Sequence, residues 1–158
     1  MNKLRSCFFP VAHPFIPCVP AITIFFLLTV AWSTTSFCGE IHDAARSGDL
    51  KSVKTMPMHN PKLISSKDED SMTPLHFAAR DDHNDIVILL LSKKANVNDQ
   101  DRDGWTPLHF AAAHGNKNVV DYLLRHKTKV NAKNKDGDTY LSLAAKNGYE
   151  DVAELLRK

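Results

Sequence analysis

Apolar residues recur in the same order in three consecutive stretches of this 158-residue chain. Each stretch carries a pair of alanines, then a pair of β-branched or small residues, and then leucine. The aligned pairs are Ala78-Ala79, Ile86-Val87 and Leu90-Leu91; Ala111-Ala112, Val119-Val120 and Leu123-Leu124; and Ala144-Ala145, Val152-Ala153 and Leu156-Arg157. The offset is 33 residues, and a fixed period of this length is typical of a stacked solenoid. The pattern predicts helix, turn, helix and loop in each unit, with the aliphatic stripe on the second helix.

Polar residues mark where each first helix should begin. Thr-Pro-Leu-His occupies residues 73–76 and 106–109, and Thr-Tyr-Leu-Ser occupies residues 139–142. Threonine is a favoured N-cap residue, and proline is tolerated at the first helical position because its missing N–H would have no partner there. We therefore expect helices to begin just after the threonines, with Gly115 and Gly148 permitting the turn to the second helix.

This pattern resembles the ankyrin repeat, whose T-P-L-H-x-A-A motif stands at residues 73–79 and 106–112. The resemblance implies an all-α solenoid of about four stacked helix-turn-helix repeats with short hairpin loops, two of them intact and two degenerate caps. It divides the chain into a leader, 1–38, and a repeat domain, 39–158, with repeats at 39–70, 71–103, 104–136 and 137–158. The family uses the motif residues to hold the stack together, which implies a structural role for Thr73, Pro74, Leu75, His76, Thr106, Pro107, Leu108 and His109.

Three residues depart from the family pattern. A glycine in the left-handed conformation usually follows the second helix, but Lys94 and Lys127 occupy those positions. Each lysine is expected to cost on the order of 1 kcal/mol of stability. Pro57 falls late in the second helix of the first repeat, where it is expected to end that helix early.

The leader has a composition of its own. It contains Lys3 and Arg5, no acidic residue, and an apolar run at 19–32 that is too short to span a bilayer. We predict a cleaved signal peptide, cut before Thr34 or Gly39, and an exported, periplasmic or secreted protein. The absence of any N-glycosylation sequon favours a bacterial source. The alternatives are an uncleaved apolar anchor at 15–32 in a membrane-tethered structural or assembly component, and a non-exported apolar tail. Lipidation of Cys38 is a further alternative within the exported prediction.

Charge and motifs argue against several classes of function. The chain has 20 Lys and Arg and 18 Asp and Glu, and the surplus of 2 lies in the leader, so the repeat domain is formally neutral. A neutral domain has no general field to attract nucleic acid or an anionic membrane.

We also predict no metal site, no cofactor and no enzymatic activity. Residues 99–104 match the first half of a calcium loop, but position 12, which needs a glutamate, is Phe110. His109 and His114 lack a third ligand at metal-binding spacing, and no catalytic motif is present.

The expected function is therefore binding of a protein that the sequence does not identify, with no small-molecule substrate. Ankyrin-like repeats leave two surfaces free, the hairpin tips (67–71, 100–105 and 133–138) and the concave face beside the first helix. Aromatic residues and arginine are enriched at binding hot spots. The predicted contact residues are Trp105, Phe110, Phe77, Arg80 and His114. Packing of Phe77 and Phe110 between repeats is the alternative for those two rings.

Overall fold

The computed structural model describes residues 36–129 and 132–157, with side chains from residue 40 onward. This part of the chain folds into α-helices that follow one another in pairs, with no strand. The helices are α1 (Ser36–Ser47), α2 (Leu50–His59), α3 (Pro74–Arg80), α4 (Asn84–Ser92), α5 (Pro107–His114), α6 (Lys117–Leu124), α7 (Tyr140–Lys146) and α8 (Glu150–Leu156), and a 3₁₀ helix spans Pro61–Ser65. The predicted all-α repeat solenoid is confirmed.

The four helix pairs stack into two layers. The first helices α1, α3, α5 and α7 pack on one another in order, and the second helices α2, α4, α6 and α8 do the same. The alanine pairs allow the close approach of neighbouring helices, since Ala78, Ala79, Ala111 and Ala112 are all completely buried. The aliphatic stripe fills the space between the layers, as Leu90 and Leu123 are also completely buried. One continuous apolar core therefore runs through the stack.

The first helices begin where the sequence predicts. Thr73 and Thr106 are the N-cap residues of α3 and α5, and a proline takes the first helical position in both. In α3 the backbone N–H of Thr73 donates to Nδ1 of His76 at 2.9 Å, and the same bond in α5 joins Thr106 to His109 at 3.0 Å. The histidine thus satisfies a donor at the helix start that the helix itself leaves without an acceptor.

The turns between helices need a left-handed residue. Gly115 and Gly148 have φ of 75° and 80°, as expected, but the second repeat uses Asp82 with φ of 60°. Lys94 and Lys127, with φ of 68° and 56°, confirm that these lysines occupy a conformation that glycine normally supplies. Each costs the array on the order of 1 kcal/mol.

The prediction that Pro57 ends its helix early is wrong. Helix α2 continues past Pro57 to His59, so it is as long as the second helices of the other repeats. Pro57 lies in the last turn, where a proline removes one backbone hydrogen bond of the helix. Its ring is buried, and we attribute the continued helix to this apolar contact offsetting the lost bond.

The predicted leader, 1–38, lies almost entirely outside the described residues, so signal cleavage, lipidation of Cys38 and an anchor at 15–32 stay predictions. Helix α1 begins at Ser36, before the predicted boundary of the repeat domain. In the part of the chain that is described, no helix combines the length and apolarity needed to cross a membrane.

Candidate functional site

The solvent-facing side of α1, α3, α5 and α7, together with Trp105 beside α5, forms the surface that carries most of the predicted contact residues. We call it the inner surface. Its side chains come from successive first helices and the residues beside them, which the stacking brings next to one another.

Trp105 is half-buried, and its backbone is fixed on three sides. Its N–H donates to a carboxylate oxygen of Asp101 at 2.8 Å, and its carbonyl accepts from the N–H of Asp101 at 3.0 Å and from Nε2 of His76 at 3.2 Å. The indole packs against the ring of Phe110, with centroids 4.9 Å apart. The tryptophan is therefore held in place before any partner arrives.

Phe110 is half-buried and joins the aromatic residues of two repeats. Besides Trp105, it contacts the edge of the His76 ring, with a centroid distance of 5.9 Å and an angle of 88° between the planes. Part of the ring packs between repeats and part faces solvent, so the packing alternative holds in part and the contact role stays a prediction.

Phe77 does not lie on a binding surface. Only 1% of it is exposed, and its ring contacts the His42 ring at a centroid distance of 5.8 Å. Two guanidinium groups cover it, those of Arg46 at 4.5 Å and Arg80 at 5.2 Å from the ring centroid. We therefore remove Phe77 from the contact set, since it supports the arginines instead of meeting a partner.

Arg80 and His114 both reach the inner surface. Arg80 makes two hydrogen bonds to the carboxylate of Asp81, at 3.0 and 2.9 Å, and keeps part of its side chain in solvent. His114 is exposed at the end of α5, and its Nδ1 lies 2.9 Å from the carbonyl oxygen of Phe110. A carbonyl can only accept, so Nδ1 carries the proton and Nε2 is the nitrogen left for other contacts.

Arg46 belongs to this surface, although motif reading did not find it. It occupies in α1 the position that Arg80 occupies in α3, at the 34-residue offset of the first repeat. Aligning Ala44-Ala45-Arg46 with Ala78-Ala79-Arg80 at that offset would have identified Arg46. The alignment is hard to see because the first repeat lacks Thr-Pro-Leu-His.

The motif residues themselves are buried and serve the stack. The completely or almost completely buried set comprises Thr73, Pro74, Leu75, His76, Thr106, Pro107, Leu108 and His109. His76 links two repeats, because its Nδ1 accepts from Thr73 and its Nε2–H donates to the carbonyl of Trp105. Burial lowers the pKa of His76 below the usual 6.5, against the opposing effect of the Trp105 carbonyl. Burial also lowers the pKa of His109.

The hairpin tips are fixed by a second periodic residue that motif reading missed. Asp68 and Asp101 each accept two backbone N–H bonds within their own loop, at 2.8 to 3.0 Å, and Asn134 accepts one at 2.8 Å. Backbone bonds also join the tips, since Arg102 N–H donates to Asp70 and Lys135 N–H donates to Asp103, both at 2.9 Å. The half-match to a calcium loop at 99–104 is therefore a turn whose acidic residue binds backbone amides.

The described residues of the inner surface form no metal-binding group, and the cavity described below lies away from the predicted contact residues. Among residues 36–129 and 132–157, no three His, Cys, Asp or Glu side chains come together as a metal-binding group. A cavity of about 330 Å³ lies at the turns that lead into α2 and α4. Gly48, Leu50, Asp82, His83, Asn84, Asp85 and Ile86 line it, and none of the predicted contact residues is among them.

Comparison with known proteins places this geometry in a family. The family model for ankyrin repeats (3 copies) matches residues 41–134 and 99–158, well over half of the chain. A 58-residue stretch is 43% identical to the transient receptor potential cation channel subfamily A member 1 homolog of Caenorhabditis elegans. That stretch is 37% of this chain and 5% of the channel protein, so the chain corresponds to a small part of that relative. The family match, the repeated helix pairs and the buried Thr-Pro-Leu-His residues agree, and the chain belongs to the ankyrin-repeat family.

Proposed function

We propose that this protein is an exported binding module that docks onto another protein through its inner surface, which corresponds to the concave face of ankyrin arrays. Ankyrin repeats indicate protein–protein interaction, and the inner surface supplies the contact groups in this chain. Binding requires no cofactor and no chemical step.

The observation that carries the proposal is the partly exposed pair of Trp105 and Phe110. The two ring centroids lie 4.9 Å apart, and three hydrogen bonds fix the backbone of Trp105 from which the indole projects. A partner that covers this pair gains apolar burial and immobilises little that was free before. Arg80 and His114 supply hydrogen-bond donors and acceptors beside it.

The test is capture of proteins by the immobilised full chain and by two variants. Trp105→Ala should abolish capture of the specific partner, because it removes the larger ring of the pair. The matched control is Tyr122→Ala, which removes a half-buried ring from the outer helix α6, where Tyr122 contacts only His126 among aromatic rings of the described residues. If the tryptophan variant captures the same proteins as the control, the inner surface is not the binding site.

Export is supported by the basic start and the short apolar run of the leader. N-terminal sequencing of the protein recovered from its producing cells separates the two alternatives. A start at Thr34 or Gly39 indicates a cleaved signal, whereas a start at Met1 favours the membrane-tethered structural component.

A further inference from the structure

Two arginines of the inner surface converge on one aromatic ring. The guanidinium carbon of Arg46 lies 4.5 Å from the centroid of Phe77, and that of Arg80 lies 5.2 Å from it. Cation–π attraction holds a guanidinium against a ring while its N–H groups stay available at the edge. Phe77 thus fixes the position of two donors in adjacent repeats.

Only one carboxylate balances these two cations. Asp81 makes its two hydrogen bonds to Arg80, and no carboxylate of the described residues lies within ion-pair distance of Arg46. Asp43, which is exposed on the same helix as Arg46, is also outside that distance. Arg46 is exposed, so its donors face solvent. An incoming anion would find a positioned guanidinium and would relieve the repulsion between the two arginines.

We propose that Arg46 and Arg80 form a carboxylate-binding pair, and that the partner presents an aspartate or glutamate side chain to it. This inference rests on the proposed function, because it names the chemistry of the partner that the inner surface binds. Arginine binds a carboxylate through two parallel N–H bonds, which a rigid, pre-positioned side chain favours.

The geometry also sets the spacing of the partner's residues. Both guanidinium groups lie against Phe77 of α3, one repeat before the pair of Trp105 and Phe110 at α5. Packed helices lie about 8–10 Å apart, and an extended chain advances about 3.3 Å per residue. An extended partner segment would therefore place its acidic residue about three residues from an apolar one.

The experiment compares synthetic peptides on the immobilised full chain. The peptides are glycine- and serine-rich and carry one leucine or tryptophan, with glutamate, glutamine or lysine three residues away on either side. The wild-type chain should retain the glutamate peptides about fivefold more strongly than the glutamine peptides, and lysine peptides least. This preference should shrink as salt is raised, because the pair is solvent-accessible.

Variants assign the preference to the arginines. Arg46→Gln should remove most of it, while Arg46→Lys should retain a part, since lysine keeps the charge but loses the planar donor pair. Arg125→Gln is the control, because Arg125 is the exposed C-cap residue of α6, in the layer of second helices, and pairs with Asp121 at 2.6 Å. It should leave the preference unchanged.

Each result decides a different question. Equal retention of glutamate and glutamine peptides by the wild type overturns the carboxylate pair, as does a preference that survives Arg46→Gln. Stronger retention of a single-stranded oligonucleotide than of the glutamate peptides also overturns it, in favour of phosphate binding. Protein capture that depends on Trp105 but not on Arg46 leaves the proposed function standing and removes only this inference.

Discussion

Polar residues at the starts of the first helices bond within their own helix, whereas those at the starts of α4 and α6 bond to the preceding repeat. In α3, α5 and α7 the N-cap threonine and the third helical residue bond to each other, as in Thr73 with His76. In α4 and α6 the N-cap side chain makes no such bond. His83 instead lies 2.9 Å from the carbonyl of Arg46, and Asn116 donates to the carbonyls of Ala79 and Arg80 at 2.8 Å.

The first repeat shows why the two starts differ. Asp49, the N-cap residue of α2, accepts the N–H of Ser52 at 3.1 Å and so caps its own helix in the ordinary way. Among the described residues no repeat precedes it. Where a preceding repeat exists, the equivalent side chain reaches back to that repeat. First-helix starts thus cap their own helices, with His76 also bonding forward to the next repeat, whereas the starts of α4 and α6 bond back to the preceding repeat.

The largest effect is expected from breaking a first-helix start. His76→Ala leaves the buried N–H of Thr73 and the carbonyl of Trp105 without their side-chain partner, and it opens a cavity between repeats. We expect a loss of about 3 kcal/mol in the free energy of unfolding, measured by urea denaturation.

Ser142→Ala provides the matched control in the fourth repeat. Ser142 takes the histidine's position and accepts the N–H of Thr139 at 2.9 Å, but it is only half-buried. Its removal should cost about 1 kcal/mol. Equal losses for the two variants would show that the histidine acts only within its own helix.

Low pH should also destabilise the first-helix starts, by protonating His76 and His109, but by less than His76→Ala does. The pKa values of His76 and His109 are lowered in the folded chain from 6.5, so the unfolded chain binds protons more readily. Their contribution to stability is fully present above about pH 6.5 and is lost as the pH falls below it, toward the folded pKa.

Thermal unfolding at about pH 7.5 and about pH 5 would measure this loss while most carboxylates stay ionised. The difference in unfolding midpoint temperature between the two pH values should be smaller in His76→Ala than in the wild type. An unchanged difference would mean that His76 makes no contribution to the acid sensitivity.

The contact at the start of α8 can be broken by adding a side chain at Gly115, against which the N-cap residue Tyr149 packs. A Cβ at Gly115 would lie 2.4 Å from the ring of Tyr149, the N-cap residue of α8, and Gly115 has φ of 75°. Gly115→Ala should therefore cost about 2 kcal/mol, from steric overlap and the left-handed backbone.

In a Tyr149→Ala background the same change should cost about 1 kcal/mol, because only the backbone strain remains. The coupling is read from the four unfolding free energies of this cycle. If the losses from Gly115→Ala and Tyr149→Ala simply add, the Tyr149 ring moves aside without cost and does not stabilise the contact between repeats.

The smallest effect concerns the ends of the second helices. Lys94→Gly and Lys127→Gly should each raise the free energy of unfolding by about 0.5 kcal/mol. Glycine relieves the strain of about 1 kcal/mol, but its greater freedom in the unfolded chain offsets part of that gain. Lys93→Gly, one residue earlier and at φ of −87°, is the control and should lower it slightly. A loss of stability at position 94 would mean that the lysine side chain makes a compensating contact.

The sequence predicted most features inside each repeat, such as the helix starts and ends, and fewer of the contacts between repeats. Thr73, Thr106 and the left-handed lysines followed from local rules of helix capping, which depend only on near neighbours in the chain. The sequence left packing of Phe77 as an alternative to partner contact and did not decide between them, because Arg46, which covers the ring, lies in a degenerate repeat at a different offset. The left-handed conformation of Asp82 was not predicted, because the equivalent positions 48, 115 and 148 are glycines and position 82 is not.

The backbone bonds between hairpin tips also bear on how the array assembles. Arg102 bonds to Asp70 and Lys135 bonds to Asp103, so each tip is ordered by the tip one repeat earlier. Contacts in such an array reach only adjacent units, and folding can therefore begin in any neighbouring pair and spread in both directions. The middle pair, which holds both intact motifs, is the natural nucleus, and slow amide hydrogen exchange should be centred on α3 and α5.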